Sequence, residues 1–528
     1  MLDTHFTVDQ MNPLIISASL LFAAVLTFRR YGNVALTLLI LGALGMGFFA
    51  ANLNSFLEIW DEQFHALVAK NMTSSPFTPR LFPEELLAYD HTNWTNNYIW
   101  LHKQPLFLWQ MALSIKLFGP TVFAIRIPSI ILHAILPFFV YRIGKIIANK
   151  DVGFIAALLI TVSYFPLELI AGEFATDHND ISFLFYVTGS FWAWFEYQRT
   201  HQFKYLIALG LFAGGAVLVK WLMGLIVYVA WTITNLISER LNFFQKKNIL
   251  PMIQAGSISL LVFLPWQIYI HMAFPEEAMH ELTFNGKHFF EAIEGHTGAF
   301  SFHFTEGISI LYGAGDAIPF LILFGLILLI YKCQDFHQRL FIGISVVFVY
   351  LFFSLAATKM IAFTIIVMPF IYLGLAMLIH LVVDKIAQTF NQPLIYAIAL
   401  PVLTLFLSYS ALNLNRIESN HTNLEPVDKQ YWTTKTAEKK FILTLNDELN
   451  DAEYVLFNCN TSPFAHIPIM FYTNHLAYLK IPTQQDIELV KSKQKKVAVF
   501  ELGELPEYIK QDTNIYKISV DSTLMRNY

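Results

Sequence analysis

The sequence predicts a polytopic α-helical membrane protein with a small α/β domain at its carboxy-terminal end. Three observations lead there. The 528 residues have a mean hydropathy of +0.50, with 55% hydrophobic and only 14% charged, which is too apolar for a soluble chain. Apolar stretches of about 20 residues, the length needed to cross a hydrocarbon core about 30 Å thick, recur from Pro13 onward. Past Leu414 charged residues become frequent, and short runs such as AEYVLFN, VAVFEL and YKISV alternate with helix-compatible segments.

Taken in order, the apolar stretches give roughly twelve spans, with eleven to thirteen as the range: 13–28, 33–53, 121–141, 152–171, 181–198, 205–219, 222–237, 249–271, 308–331, 340–357, 361–381 and 394–413. Residues 1–413 form the expected membrane domain and 414–528 the α/β domain. Two long loops interrupt the spans, 54–120 and 272–307. Within the first, PLFLWQMALSIKLFG (105–119) is too short to span comfortably and reads as an interfacial helix.

Lysine and arginine near span ends stay preferentially in the cytoplasm. Here Arg29 and Arg30, Arg142 with Lys145 and Lys150, Arg199 with Lys204, Arg240 with Lys246 and Lys247, Lys332 with Arg339, and Lys385 fall on alternate loops. The other face then receives both long loops, the Glu173–Asp180 turn, Lys359 and the carboxy-terminal domain. The amino terminus reads as an uncleaved span, because Asp3 and Asp9 precede the apolar run and the arginines follow it. A net charge of −5 with no basic stripe argues against nucleic acid. Cys333 and Cys459 fall on opposite faces and cannot pair.

The candidate chemistry crowds that other face. Asp61 and Glu62 follow Trp60 directly after a span, where a carboxylate could take the proton of an attacking hydroxyl. The alternative is an acidic pair that favours a helix N-terminus. Asp177 and Asp180 in GEFATDHND offer a second acidic set, with Thr176 or Asp177 also suited to cap the following helix. Lys220 interrupts the apolar run AGGAVLVKWLMGLIVY, and Lys359 stands between two spans; either cation could hold a phosphate, or Lys359 could snorkel to the interface. His280, His288, His296 and His303 enrich the 272–307 loop without a zinc-type spacing. The sequence names no cofactor and leaves a divalent metal open.

In order, WDEQFHALVAKNM, HKQPLFLWQMALSIKLFG, FAIRIPSIILHAILPFFVYRIGKII, ATDHNDISFLFY, AGGAVLVKWLMGLIVY, NGKHFF with EGHTG, and FFSLAATKMIAF resemble the motifs of the GT-C glycosyltransferases of the protein O-mannosyltransferase superfamily. The match is nearest to the bacterial branch that includes the aminoarabinose lipid A transferase. The resemblance implies a GT-C fold and transfer of a sugar from a polyprenyl-phosphate-linked donor to a lipid, glycan or protein acceptor. The work is expected on the periplasmic face of a bacterial inner membrane, and modification of lipid A is the activity of the nearest branch. Asp61 matches the catalytic carboxylate, with Glu62 beside it, and Asp177 the second-loop acid. Lys103 and Lys220 match donor-phosphate lysines, with His288 and Lys359 as further phosphate contacts. Trp60, His102, Asp180 and His296 are candidate substrate contacts. This chain departs from the pattern at His102-Lys103-Gln104-Pro105, where the family has Glu-Lys-Pro-Pro, at His288 in place of an arginine, and at Phe363 in place of a tyrosine. These departures bear on the donor sugar.

The competing class is a secondary transporter or flippase, for which a similar span count is common. Transporters carry ionisable residues near the midplane and paired repeats, whereas here the charges gather on one face and no repeat is visible.

Overall fold

The computed structural model describes residues 6–173, 177–313, 315–421, 426–449 and 453–520, and these divide between two compact units. One comprises residues 6–52 and 129–417. The other joins the first loop, 53–128, to the segment from 418 onward. The boundary expected from composition at 413/414 falls four residues before the unit boundary, and the first loop shares a unit with the carboxy-terminal segment.

The larger unit is helical throughout. Among the described residues, nine helical stretches are long and apolar enough to cross a membrane, from Val8–Thr27 to Leu394–Ile417. The protein is a multi-pass membrane protein. The count of twelve is not confirmed by length and hydropathy alone, and three features account for the difference. The stretches 205–219 and 222–237 lie in one run, Phe203–Asn242, bent by a 3₁₀ turn at Trp221–Leu225. The stretch 308–331 is broken after Tyr312, leaving Ile308–Tyr312 and a 15-residue helix, Ile318–Lys332. The stretch 181–198 lies within Asp177–Thr200, a helix whose tryptophan, tyrosine and hydroxyl residues lower its hydropathy. Helices pack closely where glycines face each other. A β-carbon added at Gly144 would stand 2.5 Å from Cα of Gly153, and one at Gly325 would stand 2.8 Å from the backbone of Gly374.

The smaller unit has a four-stranded parallel sheet built from β1 (Tyr454–Phe457), β2 (Leu476–Ala477), β3 (Lys496–Phe500) and β4 (Ile515–Ile518), in the order β2-β1-β3-β4. Val455 stands opposite Val497, and Val497 opposite Ile515. The inner strands β1 and β3 are buried on both faces, as parallel sheets require, apart from Lys496 and Tyr454 at their starts, while the edge strand β4 exposes Tyr516. One apolar cluster runs from Val455, Leu456 and Val497–Phe500 to Phe82, Leu86, Trp100, Phe107 and Met111 of the first loop. That shared core is why segments so distant in sequence form one unit. Lys70 adds a clip: its ammonium donates to the carbonyls of Met470 (2.8 Å), Phe471 (2.9 Å) and Thr473 (2.5 Å) at the end of helix His466–Tyr472.

Helix Pro105–Phe118 lies in this unit. It buries Phe107, Leu108, Met111 and Ile115 and exposes Leu113, Leu117 and Phe118, the two-faced character expected of an interfacial helix.

Candidate active site

In the smaller unit, helix Asp61–Met72 begins directly after Trp60, whose φ of 70° turns the chain into the helix. Trp60 is half exposed and sets its ring edge-on to Phe464 at 5.2 Å. Asp61 and Glu62 occupy the first helical turn, where the dipole favours negative charge. The helix-start reading and the chemical reading therefore coincide in position. Lys103 precedes a second helix whose first residue is Pro105, a natural helix starter. Its ammonium meets the Asp61 carboxylate at 3.3 Å. His102 stacks on Trp94 with ring centroids 4.4 Å apart and planes 5° apart. Burial pushes the Asp61 carboxyl up, but Lys103, His65 and His102 outweigh it and hold it well below the usual carboxylate range. Asp61 is thus ionised at any physiological pH.

Glu62, one residue on, faces a different environment. Arg126 clasps it with two hydrogen bonds, Nε to Oε1 at 2.7 Å and Nη2 to Oε2 at 2.9 Å, and both side chains are fully buried. The same guanidinium donates to the Asn54 carbonyl at 3.0 Å, while Glu62 accepts the Glu58 backbone N–H at 2.6 Å. Glu62 is a strut that fixes the turn before Asp61. Glu58 is buried in the same cluster and accepts from the Tyr431 hydroxyl at 2.6 Å. Burial raises its pKa to about 7 against the lowering effect of Tyr431.

Arg126, Glu58 and Tyr431 were not among the sequence candidates. A guanidinium inside the apolar run FAIRIPSIILHA was the visible signal for Arg126. Nothing local marked the other two.

In the larger unit, Asp177 opens helix Asp177–Thr200 and is fully buried; one oxygen accepts the His178 backbone N–H. Residues 174–176, including Thr176, lie outside the described residues. His178 Nδ1 meets Ser129 Oγ at 2.9 Å, and Asn179 donates to the Val219 carbonyl at 2.9 Å, beside the helix end at Lys220. Asp180 forms an ion pair with Lys220. The Lys220 ammonium also sits 5.2 Å from the centre of the Phe363 ring.

Lys359 turns back on its own chain. Its ammonium donates to the carbonyls of Phe353 (3.0 Å), Ser354 (2.7 Å) and Ala356, closing the C-terminal end of helix Phe336–Leu355. The neighbouring backbone is stitched to the long loop: Thr358 N–H donates to the His288 carbonyl and Lys359 N–H to the His296 carbonyl, each at 3.0 Å. His288 Nδ1 lies 3.1 Å from Thr358 Oγ1. Phe363 packs on Phe353 at 4.7 Å, which links the Lys220 group to the segment that Lys359 closes. His303 is buried; burial, then Lys359, lowers its pKa to about 4, which keeps it neutral. Among the described residues searched, no group of three or more His, Cys, Asp or Glu side chains is placed to hold a metal ion.

The structure thus gathers Asp61, Lys103 and His102 in one unit, and Asp180, Lys220 and Phe363, beside Lys359, His288 and His296, in the other. Against solved structures, the chain superposes on the transferase ArnT from Cupriavidus metallidurans bound to undecaprenyl phosphate with a TM-score of 0.59, at 13% identity over 88% of this chain and 89% of that one. Its fold is that of a GT-C glycosyltransferase. The archaeal oligosaccharyltransferase AglB from Archaeoglobus fulgidus, solved with an inhibitory peptide and a dolichol-phosphate, gives 0.54 at 12% identity over 85% of this chain and 64% of that one.

Sequence comparison agrees. Residues 102–269 match the family model described as dolichyl-phosphate-mannose-protein mannosyltransferase. An undecaprenyl phosphate-alpha-4-amino-4-deoxy-L-arabinose arabinosyl transferase from Pseudomonas fluorescens is 26% identical over 175 residues, which cover 32% of this chain and 30% of the relative's own length. Within the GT-C fold, the chain resembles the aminoarabinose transferases.

Proposed function

We propose that this chain is an integral membrane glycosyltransferase that moves a sugar from a polyprenyl-phosphate-linked donor to a lipid, glycan or protein acceptor. The observation that carries the reading is the Asp61–Lys103 ion pair: an ionised carboxylate and an ammonium 3.3 Å apart at the head of a helix, in a chain with the GT-C fold. The relatives support the donor class, since one is bound to undecaprenyl phosphate and another was solved with a dolichol-phosphate. The alternating lysine and arginine loops support an active site and carboxy-terminal segment on the periplasmic face of a bacterial inner membrane.

The chemistry follows from the charges. An acceptor oxygen attacks the anomeric carbon from the side opposite the lipid phosphate. The carbon–oxygen bond to that phosphate breaks, its electron pair leaves with the phosphate, and the anomeric centre inverts. Asp61 orients a hydroxyl acceptor and takes its proton. While Lys103 is paired to Asp61 that carboxylate is a poor base, so the lysine has two anions to serve. A donor phosphate drawing Lys103 away raises the basicity of Asp61 at the moment the proton must move. Within the larger unit, Lys220, with Asp180 as its resting partner and Phe363 beside it, is the cation offered to a phosphate. Asp177 is the second-loop acid of this reading. His288, held against Thr358, is a weaker phosphate contact, and Lys359 braces the helix end beside it.

The test is turnover of a polyprenyl-phosphate sugar by purified protein and by Asp61→Asn. Loss of a positioned base is expected to lower transfer about a hundredfold or more. Near-normal transfer by the variant would remove Asp61 from the reaction.

A further inference from the structure

A second concavity lies in the smaller unit, and the transfer chemistry just described does not use it. It is a cleft of about 360 Å³ between the 82–98 part of the first loop and the end of strand β2, within the size range of small-ligand sites, about 300–1,000 Å³. Tyr89, Tyr98, Tyr478 and Phe82 contribute to its walls, with Glu85 and Asn96 beside them. The walls are braced from within the unit. Phe82 stacks on Tyr478 at 5.1 Å and 14°, Tyr89 sets its edge to Tyr98 at 5.9 Å, and the Tyr98 hydroxyl accepts from Arg80 at 3.3 Å.

We infer that this cleft binds a saccharide, and that it is the subsite for the glycan part of the acceptor; the second clause rests on the transferase reading. A sugar ring offers faces of C–H bonds, which suit aromatic walls, and a rim of hydroxyls, each both donor and acceptor. The carboxylate of Glu85 and the amide of Asn96 can answer that rim. A phosphate is disfavoured, because Glu84 and Lys480 of the lining are each engaged, with Lys495 at 2.8 Å and Asp486 at 2.9 Å, and Glu85 adds a further negative charge. A peptide added as a strand finds a poor template, since the neighbouring edge strand β2 is only Leu476–Ala477.

The cleft is also wired to the reaction centre. Asn96 and Tyr98 closely follow Trp94, whose ring stacks on His102, the residue before Lys103, and the Trp94 carbonyl accepts from Trp100 at 3.0 Å. An occupant that orders the 94–98 stretch therefore bears on the placement of Lys103.

The test uses the full-length purified chain and saturation-transfer NMR with a panel of chitotriose, maltotriose and a glucosamine disaccharide, plus an acetylated Ser/Thr-rich peptide. Transfer to the ring protons of at least one saccharide is expected. Affinity should fall roughly tenfold in Tyr89→Ala, with a smaller loss in Asn96→Ala, a rim change that leaves the apolar core intact. No saccharide signal from the wild-type protein, equal signal in both variants, or signal from the peptide alone would overturn the inference. Donor turnover measured on the same samples separates the two readings. Saccharide binding without donor turnover would leave the cleft standing and sink the transferase; donor turnover without saccharide binding would do the reverse.

Discussion

Asp61 and Glu62 of the smaller unit are neighbours in sequence, both buried, and differ in how they are held. Asp61 meets Lys103 at 3.3 Å, and both side chains keep some access to solvent. Glu62 is gripped by Arg126 through two bonds with no solvent access at all. A buried, fully satisfied pair fixes geometry and resists exchange, whereas a looser pair can trade partners when a phosphate arrives. In the proposed function two adjacent carboxylates divide the labour: one is offered to the acceptor, the other fixes the turn before it.

Breaking the interior should hurt the fold most. Glu62→Ala leaves Arg126 buried without its partner and is expected to cost about 3–5 kcal/mol of stability, read as a large fall in the thermal midpoint of the detergent-solubilised protein. A midpoint unchanged by that substitution would put Glu62 on the same footing as Asp61. Lys103→Met, by contrast, should cost less stability than Glu62→Ala, because its pair keeps some access to solvent, while slowing donor turnover strongly.

Glu58 sharpens the interior side. The folded protein keeps its proton up to about pH 7, whereas the unfolded chain releases it near its ordinary value of 4.5. Between those values the folded state binds more protons, so this group's contribution to stability falls as pH rises from about 4.5 through 7. Glu58→Gln should flatten that slope in a thermal-shift series; an unaltered slope would mean that another group sets it.

The smallest effect is expected at Lys359. Its ammonium is engaged by three helix carbonyls, so Lys359→Met should lower stability by about 1 kcal/mol and leave donor turnover within about twofold. Lys220→Met should instead act on turnover. Equal losses of turnover in the two variants would make both lysines phosphate ligands.

What the sequence made legible follows from how local each signal is. The runs AEYVLFN, VAVFEL and YKISV overlap β1, β3 and β4, because a short apolar run is written in adjacent residues. Strand β2 is two residues long and leaves no such trace. Hydropathy located the apolar stretches, but it is blind to the 3₁₀ turn at Trp221 and to the break after Tyr312. Asp61 and Lys103 were legible as residue types on one loop; that they meet was not, because the contact depends on two helices starting side by side. The shared core of the first loop and the carboxy-terminal segment, and with it the cleft beside β2, depends on contacts between residues hundreds of positions apart. Composition placed those two segments apart.

The most direct measurement is donor turnover and thermal midpoint, taken in parallel on Asp61→Asn and Glu62→Gln. The account predicts that Asp61→Asn keeps a near-native midpoint and loses about a hundredfold or more of its turnover, while Glu62→Gln loses midpoint first and turnover in proportion to the folded protein that remains. The opposite pattern, a stable but inactive Glu62→Gln beside an active Asp61→Asn, would contradict it.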